Sequence, residues 1–411
     1  MSTPEVHIDA IAVGGEGVGR LPDGRVTFVE GAVPGDVVGV EIVDERRRFG
    51  RGRVERLLEA GPTRAEPSCP AVALGCGGCD WQHVAVEARA GHHVAMVHEQ
   101  LRRQLPNSPV EVRHAGSVPH VGYRSTIRLA VDEQGRPGFR RATSHDVVHH
   151  GACEVAVASL QPVLRADWTG ATELSARASV ADSRALVVVT PSVAALSSVP
   201  DLGDDVRIIG RDELDEGRRA WLFDEAVGHR WRLSADSFFQ SGPWAVELLV
   251  STVGERLAEP LGAAESAADL YGGVGVLAGG LSATLDVAPR WTLVESSPSA
   301  IADARVNLAD LDAVIRRSSV ERWRPTRQHV VVADPPRAGL GADGVARVGA
   351  TRARDLALVS CDLLAFGRDL RRLTDGGWTL ASVDVLDLFP GTVHVEVVST
   401  YRRGGGGGRP G

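Results

Sequence analysis

The sequence contains no lysine, so all 45 of its basic residues are arginines. Arginine is suited to planar contacts with phosphate groups and to stacking on nucleic acid bases. A chain without lysine that is rich in Ala, Val, Gly and Arg is also typical of a GC-biased genome, and we favour this explanation. The net charge of −8 does not indicate a nucleic acid partner either, but enzymes bind nucleic acid through local patches rather than through net charge.

The chain also lacks a long hydrophobic run. It has no stretch of 18 apolar residues, which excludes a transmembrane helix of the usual kind. Its start, Met1–Glu5, does not have the basic and then apolar pattern of a signal peptide. We therefore expect a cytoplasmic protein without a membrane partner, in which cysteines stay reduced.

Cysteine is scarce, with five residues in 411, and four of them lie in the first 153 residues. These four are Cys69, Cys76, Cys79 and Cys153. Four thiolates can hold a structural zinc ion or a 4Fe-4S cluster, whereas a reducing compartment disfavours disulfides. Because a zinc ribbon usually has two close pairs, three clustered cysteines and a remote fourth favour the cluster. Zinc is the alternative, and a site without metal is the third possibility.

Residues 1–58 consist of short apolar stretches separated by turns such as Asp23-Gly24. About five strands in so short a segment predict an OB-like β-barrel, a fold that commonly binds nucleic acid. The segment Glu45–Arg53 places five arginines around Phe49. This composition suits phosphate contact with base stacking, and we favour RNA contact over a solvated hairpin.

The length of 411 residues predicts two or three domains, and the pattern changes again after the barrel. Residues 59–230 carry the four cysteines and show strands, turns and a helix, which predicts a central mixed β/α domain. Residues 231–402 alternate strands with helices, which predicts an α/β domain. Residues 403–411 are Gly-rich, and we expect them to be disordered.

A glycine-rich loop follows a strand of the last domain, at Asp269–Gly275. Such a loop at the start of a helix lets a ligand approach the backbone closely. Glu295 ends the next strand, where its carboxylate can accept hydrogen bonds from the ribose hydroxyls of a nucleoside. The glycines at 273, 275 and 279 do not match G-x-G-x-x-G. The spacing fits the looser loop of class I S-adenosylmethionine-dependent enzymes instead.

Polar residues also follow three further strands of this domain. Asp334 and Cys361 each follow an apolar strand directly, and Glu396 comes after the final loop. Because parallel strands end at one edge of a sheet, we expect these residues to lie near Glu295. Cys361 there can be a nucleophile, since a thiol ionises easily, whereas the alternative is an inert buried cysteine. For Asp334, the alternative is a plain turn before its two prolines.

Several motifs together resemble the RNA uracil-C5 methyltransferases, which make 5-methyluridine in tRNA and large-subunit rRNA. The barrel resembles a TRAM domain, a small RNA-binding barrel, at Gly14–Gly17, Gly19 and Val33–Asp36. The motifs of the last domain are Phe238-Phe239-Gln240, Asp269–Gly275, Asp334–Arg337, Ser360-Cys361 and Phe389–Glu396. Together with the four cysteines, they extend the resemblance over nearly the whole chain.

The resemblance implies a fold and a role for each matching residue. The fold would be α/β, with a class I, Rossmann-like S-adenosylmethionine methyltransferase domain after the TRAM barrel and the central domain with its iron–sulfur site. Cys361 would be the nucleophile and Glu396 the base. The pocket for S-adenosyl-L-methionine and the target base would be lined by Gln240, Tyr271, Glu295 and Asp334, with Gly273 and Gly275 in its loop. The 4Fe-4S cluster would be held by Cys69, Cys76, Cys79 and Cys153.

The implied reaction is S-adenosylmethionine-dependent methylation of uracil C5 in RNA, which gives 5-methyluridine through a covalent adduct between cysteine and C6. We expect a monomeric enzyme that acts on 23S rRNA, with uracil-54 of tRNA as the alternative substrate. An adenine-N6 methyltransferase is disfavoured, because that chemistry wants an aromatic residue where Arg337 stands. A non-catalytic RNA-binding relative is a further hypothesis.

The support for a non-catalytic relative is Asp362-Leu363, which stands where the family commonly has Asn-Pro. A carboxylate beside a thiol raises the pKa of the thiol. We therefore expect Asp362 to hinder the ionisation of Cys361 unless it points away or pairs with an arginine such as Arg368. The spacing from Cys69 to Cys76 is also one residue longer than usual in the family.

Overall fold

The computed structural model describes residues 3–142 and 144–404. Its first part is a closed barrel with the strand order β1-β2-β3-β5-β4. The five strands are β1 (Glu5–Ile11), β2 (Gly17–Arg20), β3 (Val26–Glu30), β4 (Val37–Glu45) and β5 (Phe49–Glu59). Apolar side chains on their inner faces, among them Val6, Ile8, Val29 and Val38, fill the barrel. The small barrel predicted from the sequence is confirmed.

The segment after the barrel packs against the end of the chain. Its elements are α1 (Pro70–Ala73), α2 (Val86–Gln104) and β6 (Val112–Ser117). Helix α2 buries Met96, Val97 and Leu101 in the same apolar core as the C-terminal strands. Strand β6 is the edge strand of the C-terminal sheet.

A separate sheet follows, with the described strands in the order β12-β11-β10-β7-β8-β9. The strands are β7 (Thr126–Val131), β8 (Pro137–Arg140), β9 (Val147–Val148), β10 (Glu173–Ala178), β11 (Ala185–Thr190) and β12 (Val206–Gly210). Two short helices accompany them, α3 (Gln161–Arg165) and α4 (Arg211–Asp215). Leu129, Leu160, Trp168 and Leu174 form the centre of its apolar core.

A hairpin connects this sheet to the C-terminal part. It consists of the antiparallel strands β13 (Trp221–Ala226) and β14 (His229–Ser234). Trp231 and Leu233 of the hairpin are buried in the C-terminal core. The guanidinium of Arg177, on β10, donates to the Ser234 carbonyl at 3.1 Å. The hairpin thus contacts both neighbours and limits their relative movement.

The C-terminal part alternates helices and strands. Its elements are α5 (Pro243–Gly262), β15 (Ser266–Leu270), α6 (Val276–Ser282), β16 (Arg290–Glu295), α7 (Pro298–Asn307), β17 (Ala313–Arg317), β18 (Val330–Ala333), α8 (Gly341–Ala350), β19 (Asp355–Ser360), α9 (Leu363–Asp375), β20 (Trp378–Asp387) and β21 (Glu396–Arg403). With β6, the described strands form one sheet in the order β17-β16-β15-β18-β19-β21-β20-β6.

The strand order positions the site. From β15 the chain first proceeds to β16 and β17 on one side and then to β18 and β19 on the other, so the order reverses at β15. In such sheets ligands bind beyond the carboxyl ends of the strands at the point of reversal. Glu295, Asp334 and Cys361 lie at this edge, as the sequence predicted. Within the described residues, no helix has the length and apolar character required to cross a membrane.

The predicted domain boundaries do not follow this packing. The sequence pattern predicts one central domain over 59–230, but β6 pairs in parallel with β20, and the boundary at 230 falls inside β14. Local patterns cannot reveal such long-range pairing. The predicted disordered tail, 403–411, begins too early, because Arg403 ends β21 and donates to the Gly376 carbonyl at 2.9 Å. Residues 405–411 lie outside the described residues.

Candidate active site

Cys361 lies between the end of β19 and the start of α9. The next residue, Asp362, is the N-cap of α9, and its Oδ1 accepts a hydrogen bond from the Ala365 backbone N–H at 2.7 Å. Asp and Asn are equally good N-cap residues because both offer a side-chain oxygen to the free N–H groups of the first turn. The carboxylate of Asp362 is therefore engaged with the helix and does not pair with Arg368.

Other carboxylates act on the Cys361 thiol. Burial, together with the negative charges of Glu396 and Asp334, raises the pKa of Cys361 to about 12, whereas Arg337 opposes this effect. Asp362 is not among these causes. The expectation that Asp362 hinders ionisation excepted a side chain that points away, and the structure shows this exception, because the carboxylate of Asp362 caps α9.

Glu396 opens β21 and lies beside Cys361. In the antiparallel pairing of β19 with β21, Ser360 pairs with Val397, so the next position on each strand brings Cys361 opposite Glu396. The side chain of Glu396 is only 3% exposed. Burial raises its pKa well above the ordinary value, and the charge of Asp334 raises it further. Glu396 thus holds a proton more readily than an exposed carboxyl group does.

Asp334 connects Glu396 to the pocket under the glycine loop. Burial raises the pKa of Asp334 to about 6, and the amide of Gln240 opposes this effect by donating to Oδ2 at 3.2 Å. Gln240, Tyr271, Gly273 and Asp334 line the same small cavity. The structure therefore brings together four of the six residues predicted to bind cofactor and target base.

The remaining two predicted residues are Gly275, which belongs to the glycine loop, and Glu295, which supports the loop. Glu295 accepts a hydrogen bond from the Gly273 N–H at 3.0 Å through Oε2. Its Oε1 accepts from the N–H groups of Ser296 and Ser297, each at 2.6 Å. Gly273 and Gly275 have φ angles of +55° and +94°, a conformation that favours glycine over other residues. Glu295 therefore joins the end of β16 to the loop above β15.

Asp269 is a residue of this pocket that the sequence analysis did not assign to the site. It is completely buried at the end of β15, and its Oδ2 accepts from the Ala278 N–H at 3.0 Å. Its Oδ1 has no hydrogen-bond partner among the described residues. Burial raises the pKa of Asp269 to about 8, with smaller contributions from Asp334 and Glu295. The signal in the sequence that could have identified Asp269 is an acidic residue within an apolar strand directly before a glycine loop.

The four N-terminal cysteines form a second cluster. Cys69, Cys76, Cys79 and Cys153 are free thiols that line one cavity. Burial, with smaller contributions from Cys153 and Cys76, raises the pKa of Cys79 to about 11. In the described ranges, 3–142 and 144–404, no three His, Cys, Asp or Glu side chains form a group able to hold a metal ion. The thiols are thus brought together, but a metal centre is not shown.

The cysteine segment also holds the loop that leads to Glu396. Asp80, directly after Cys79, accepts a hydrogen bond from the Val393 N–H at 2.9 Å. The backbone N–H of Trp81 donates to the Gly391 carbonyl at 2.9 Å. Two backbone positions of the loop before Glu396 are therefore fixed by residues next to the cysteines.

The barrel reaches the same loop. The indole N–H of Trp81 donates to the Gly15 carbonyl at 3.3 Å. Gly15 has a φ of +83°, and a side chain at this position would overlap Val393. The barrel therefore packs directly on the loop that precedes Glu396.

A cleft of about 440 Å³ separates the barrel from Cys361. On the barrel side, Arg51 lies over the ring of Phe28, 5.3 Å from its centroid, and pairs with Glu16 at 2.8 Å. On the catalytic side, Arg337 is 3.1 Å from Nδ1 of His394. Aromatic and guanidinium groups thus line both sides of the cleft that contains the Cys361 thiol.

Comparison with known proteins agrees with this architecture. A model of the TRAM domain matches residues 2–54. An uncharacterized RNA methyltransferase of Streptomyces avermitilis is 34% identical over 421 residues, covering 96% of this chain and 97% of the relative. A 23S rRNA (uracil(1939)-C(5))-methyltransferase of Pseudomonas putida is 28% identical, covering 97% and 93%.

The fold also matches a solved structure over its whole length. The Pyrococcus abyssi tRNA (uracil-54, C5)-methyltransferase, solved with S-adenosyl-L-homocysteine, aligns with a TM-score of 0.74 at 22% identity, covering 98% of this chain and 100% of that one. This likeness shows a shared fold, an N-terminal barrel followed by an α/β methyltransferase fold. The chain belongs to a family of RNA methyltransferases and carries an N-terminal TRAM domain.

Proposed function

We propose that this enzyme transfers a methyl group from S-adenosylmethionine to C5 of a uracil in RNA. The observation that carries the proposal is the placement of Cys361 opposite Glu396, with Asp334 beside them, at the edge where the glycine loop opens. A nucleophile and a base that both reach one substrate ring are what substitution at C5 requires.

The chemistry assigns a role to each of the two residues. The thiol of Cys361 gives its proton to the neighbouring carboxylate of Asp334, and its sulfur attacks C6 of the uracil, so that a C–S bond forms and the π electrons move through C5 to the C4 carbonyl oxygen. C5 would then take the methyl group as the bond between that group and the sulfonium sulfur of S-adenosylmethionine breaks, with S-adenosylhomocysteine as the leaving group, and Glu396 removes the C5 proton. The electrons of the broken C–H bond restore the C5–C6 double bond, and the thiolate leaves.

The acidic surroundings suit this sequence of proton transfers. Because Glu396 and Asp334 raise the pKa of Cys361, a standing thiolate is disfavoured before substrate binds. Attack on C6 moves the negative charge from sulfur to the uracil oxygen. The Gln240 amide and a protonated Asp334, whose pKa burial raises to about 6, can donate hydrogen bonds to that oxygen.

The glycine loop and its neighbours fit a nucleoside cofactor. When bound, S-adenosylmethionine supplies an electrophilic methyl group. Gln240, Tyr271, Asp334 and Gly273 line the pocket, and Glu295 and Gly275 shape its loop. Asp269, with an oxygen that has no partner within the described residues, offers a further acceptor beneath the loop.

Analysis of the product tests the reaction. Wild-type enzyme with labelled S-adenosylmethionine and unmodified RNA should yield 5-methyluridine after digestion to nucleosides. The Cys361→Ala variant should transfer no methyl group but should still bind RNA. Labelled 6-methyladenosine, or turnover by Cys361→Ala, would refute the proposal, and RNA binding by the wild type without methyl transfer would indicate a non-catalytic relative.

We favour 23S rRNA as the substrate. The combination of a TRAM barrel with four cysteines supports rRNA, as does the Pseudomonas putida relative, whose name gives uracil 1939 of 23S rRNA. The Pyrococcus abyssi enzyme acts on uracil-54 of tRNA and shares the fold at lower identity. Mapping 5-methyluridine in both RNAs from a deletion strain decides between them, and loss from tRNA alone would contradict our choice.

The four cysteines fit a 4Fe-4S cluster better than a single zinc ion. Thiolates around one zinc ion lie about 3.8 Å apart, as Zn–S bonds of about 2.3 Å in a tetrahedron require. A cluster takes one thiolate per iron atom, so its ligands stand further apart. The four thiols line one cavity, and their order in the sequence, three clustered cysteines and a remote fourth, favours the cluster.

Metal analysis separates the alternatives. Protein purified without oxygen should be brown and contain about four iron and four sulfide per chain. A colourless protein with one zinc ion per chain would overturn the cluster.

A further inference from the structure

The arginines of the barrel that suggested RNA contact are partly neutralised by nearby carboxylates. Three of the five in Glu45–Arg53 form ion pairs: Arg46 with Asp44, Arg51 with Glu16, and Arg53 with Glu41. An exposed pair of this kind is weak and can exchange partners, but the two charges cancel in the field that an approaching polyanion meets.

A second arginine-rich segment, residues 316–327, has different surroundings. Its arginines are Arg316, Arg317, Arg322, Arg324 and Arg327, and all are exposed. Within residues 3–142 and 144–404, none of the five forms an ion pair. The one acidic residue of the segment, Glu321, accepts a hydrogen bond from the Tyr271 hydroxyl at 3.0 Å. With five arginines and one glutamate, the segment keeps a net charge of +4.

Three of these arginines converge with Arg290 on a cavity of about 590 Å³ at the β17 edge of the sheet. Arg290 on β16 and Arg316 on β17 contribute two of the guanidinium groups. Arg324 and Arg327 contribute the other two from the following loop. A carboxylate pairs with Arg290 alone of these four in the described structure, namely Asp312 at 3.6 Å.

The loop that carries Arg324 and Arg327 is anchored at both ends. Trp323 is buried before it, and Gln328 is buried after it. The Gln328 amide donates to the Thr326 hydroxyl at 2.9 Å, which holds the loop from inside. The two arginines are thus presented by a fixed backbone rather than by a free surface segment.

The chemistry of the cavity suits a chain of phosphate groups. A guanidinium matches the oxygens of a phosphate and stays charged at all relevant pH values. Four such groups around 590 Å³ exceed what one phosphate requires and suit successive phosphates of a backbone. One end of the cavity lies at Ser266, the first residue of β15, whereas the catalytic edge follows Leu270. This end is roughly 16 Å from the catalytic edge along the strand, and Arg316, which pairs with Val294, lies nearer to that edge.

We propose that this cavity binds the phosphate backbone of the substrate RNA at a second site, away from the target uracil. The inference rests on the proposed function in taking RNA as the substrate. A substrate held at both places is oriented over the sheet, and its target base is directed towards the cleft beside Cys361.

Salt dependence of RNA binding tests this site. The Arg324→Gln/Arg327→Gln variant removes two cavity charges, and Arg184→Gln/Arg218→Gln is the matched control. The control arginines are exposed and pair with Asp182 and Glu213, so net charge changes equally. Binding of an unmodified 23S rRNA transcript is measured at several salt concentrations. The slope of log K against log salt should fall by about 1.5 in the cavity variant, at 0.7 to 0.9 per lost phosphate contact, and by much less in the control.

Two further measurements distinguish the test of this second site from the test of the proposed reaction. A short hairpin around the target uridine should be methylated at the same rate by wild type and cavity variant. An unchanged salt slope would overturn the second site whether or not methylation occurs, and a wild type that methylates no RNA would refute the proposed function alone. If inorganic phosphate binds to the wild type and not to the cavity variant while the RNA slope stays constant, the cavity takes a free anion and the inference is wrong.

Discussion

Asp334 is the residue through which the ionisable groups of the site act on one another. Its charge raises the pKa values of Asp269, Glu396 and Cys361, although burial is the largest cause in each case. Buried carboxyl groups that raise one another's pKa values keep their protons at a pH at which exposed carboxyl groups release them. The site is therefore suited to moving a proton during the reaction rather than to storing a thiolate.

Replacing Glu396 should make the Cys361 thiol more acidic. Glu396→Gln removes a negative neighbour and should lower the pKa of Cys361, whereas Asp362→Asn should leave it unchanged because position 362 caps α9. The measurement is the rate of alkylation by iodoacetamide between about pH 7 and pH 10. The account is contradicted if Asp362→Asn accelerates alkylation and Glu396→Gln does not.

Asp269 should make stability fall as pH rises. Its pKa in the folded protein is raised from 3.8 to about 8, so folding favours the protonated form and loses stability between these two values. Asp269→Asn stays neutral and can still accept from the Ala278 N–H. Urea unfolding should find the variant more stable than wild type at pH 8 and above, with a difference that shrinks towards pH 4. A difference in the free energy of unfolding that is independent of pH would contradict the raised pKa of Asp269.

At the scale of elements, the loop before Glu396 depends on segments far away in the chain. Asp80 and Trp81 hold it from the cysteine segment, and Gly15 packs on it from the barrel. The hydroxyl of Tyr123 adds a contact to the Pro390 carbonyl at 3.4 Å. Glu396, the proposed base, is thus positioned by the N-terminal half of the molecule.

Loss of the Asp80 contact should slow the last step of the reaction. Asp80→Ala leaves the Val393 N–H without its acceptor and should reduce turnover by roughly 10-fold, equivalent to about 1.4 kcal/mol. The methylated covalent adduct should accumulate, since proton removal by Glu396 is the step affected. Asp80→Asn keeps an acceptor oxygen and should retain most activity.

Ser68→Ala is the control for this experiment. Ser68 also lies beside the cysteine segment, but its hydroxyl donates to Glu154 and does not contact the loop. Iron content should be equal in all variants. If Asp80→Ala loses iron, or loses activity without accumulating the covalent adduct, Asp80 supports the cysteine site and does not position Glu396.

At the scale of the whole molecule, the catalytic sheet is completed by residues from before the central sheet. β6 extends the sheet beside β20, and α2 covers α9 with Met96, Val97 and Leu101. In the sequence, the central sheet and the hairpin therefore lie between β6 and the other strands of the sheet that β6 completes.

A fragment of residues 231–404 should not fold alone. It begins inside β14, leaves β20 without its neighbour β6, and exposes the apolar face that α2 covers. Size-exclusion chromatography and denaturant unfolding should find aggregates or a non-cooperative transition. A monomeric fragment with a cooperative transition would contradict this reading of the sheet.

The sequence predicted those features that depend on neighbouring residues. Turns such as Asp23-Gly24 indicated the barrel, and polar residues after apolar strands indicated the catalytic edge at Asp334 and Cys361. It could not predict contacts between distant segments, such as Asp80 with Val393, because no local pattern records them. The effect of Asp362 was left conditional for the same reason, since it depends on where the side chain points.

Trapping the covalent intermediate tests the central claim most directly. The Glu396→Ala variant, incubated with S-adenosylmethionine and unmodified RNA, should form a protein–RNA adduct that survives on a denaturing gel. Digestion and mass spectrometry should find a 5-methylated, 5,6-dihydrouridine linked to the peptide that contains Cys361, and no adduct should form when Cys361→Ala is added. Full turnover by Glu396→Ala without an adduct, or an adduct through another residue, would contradict the account.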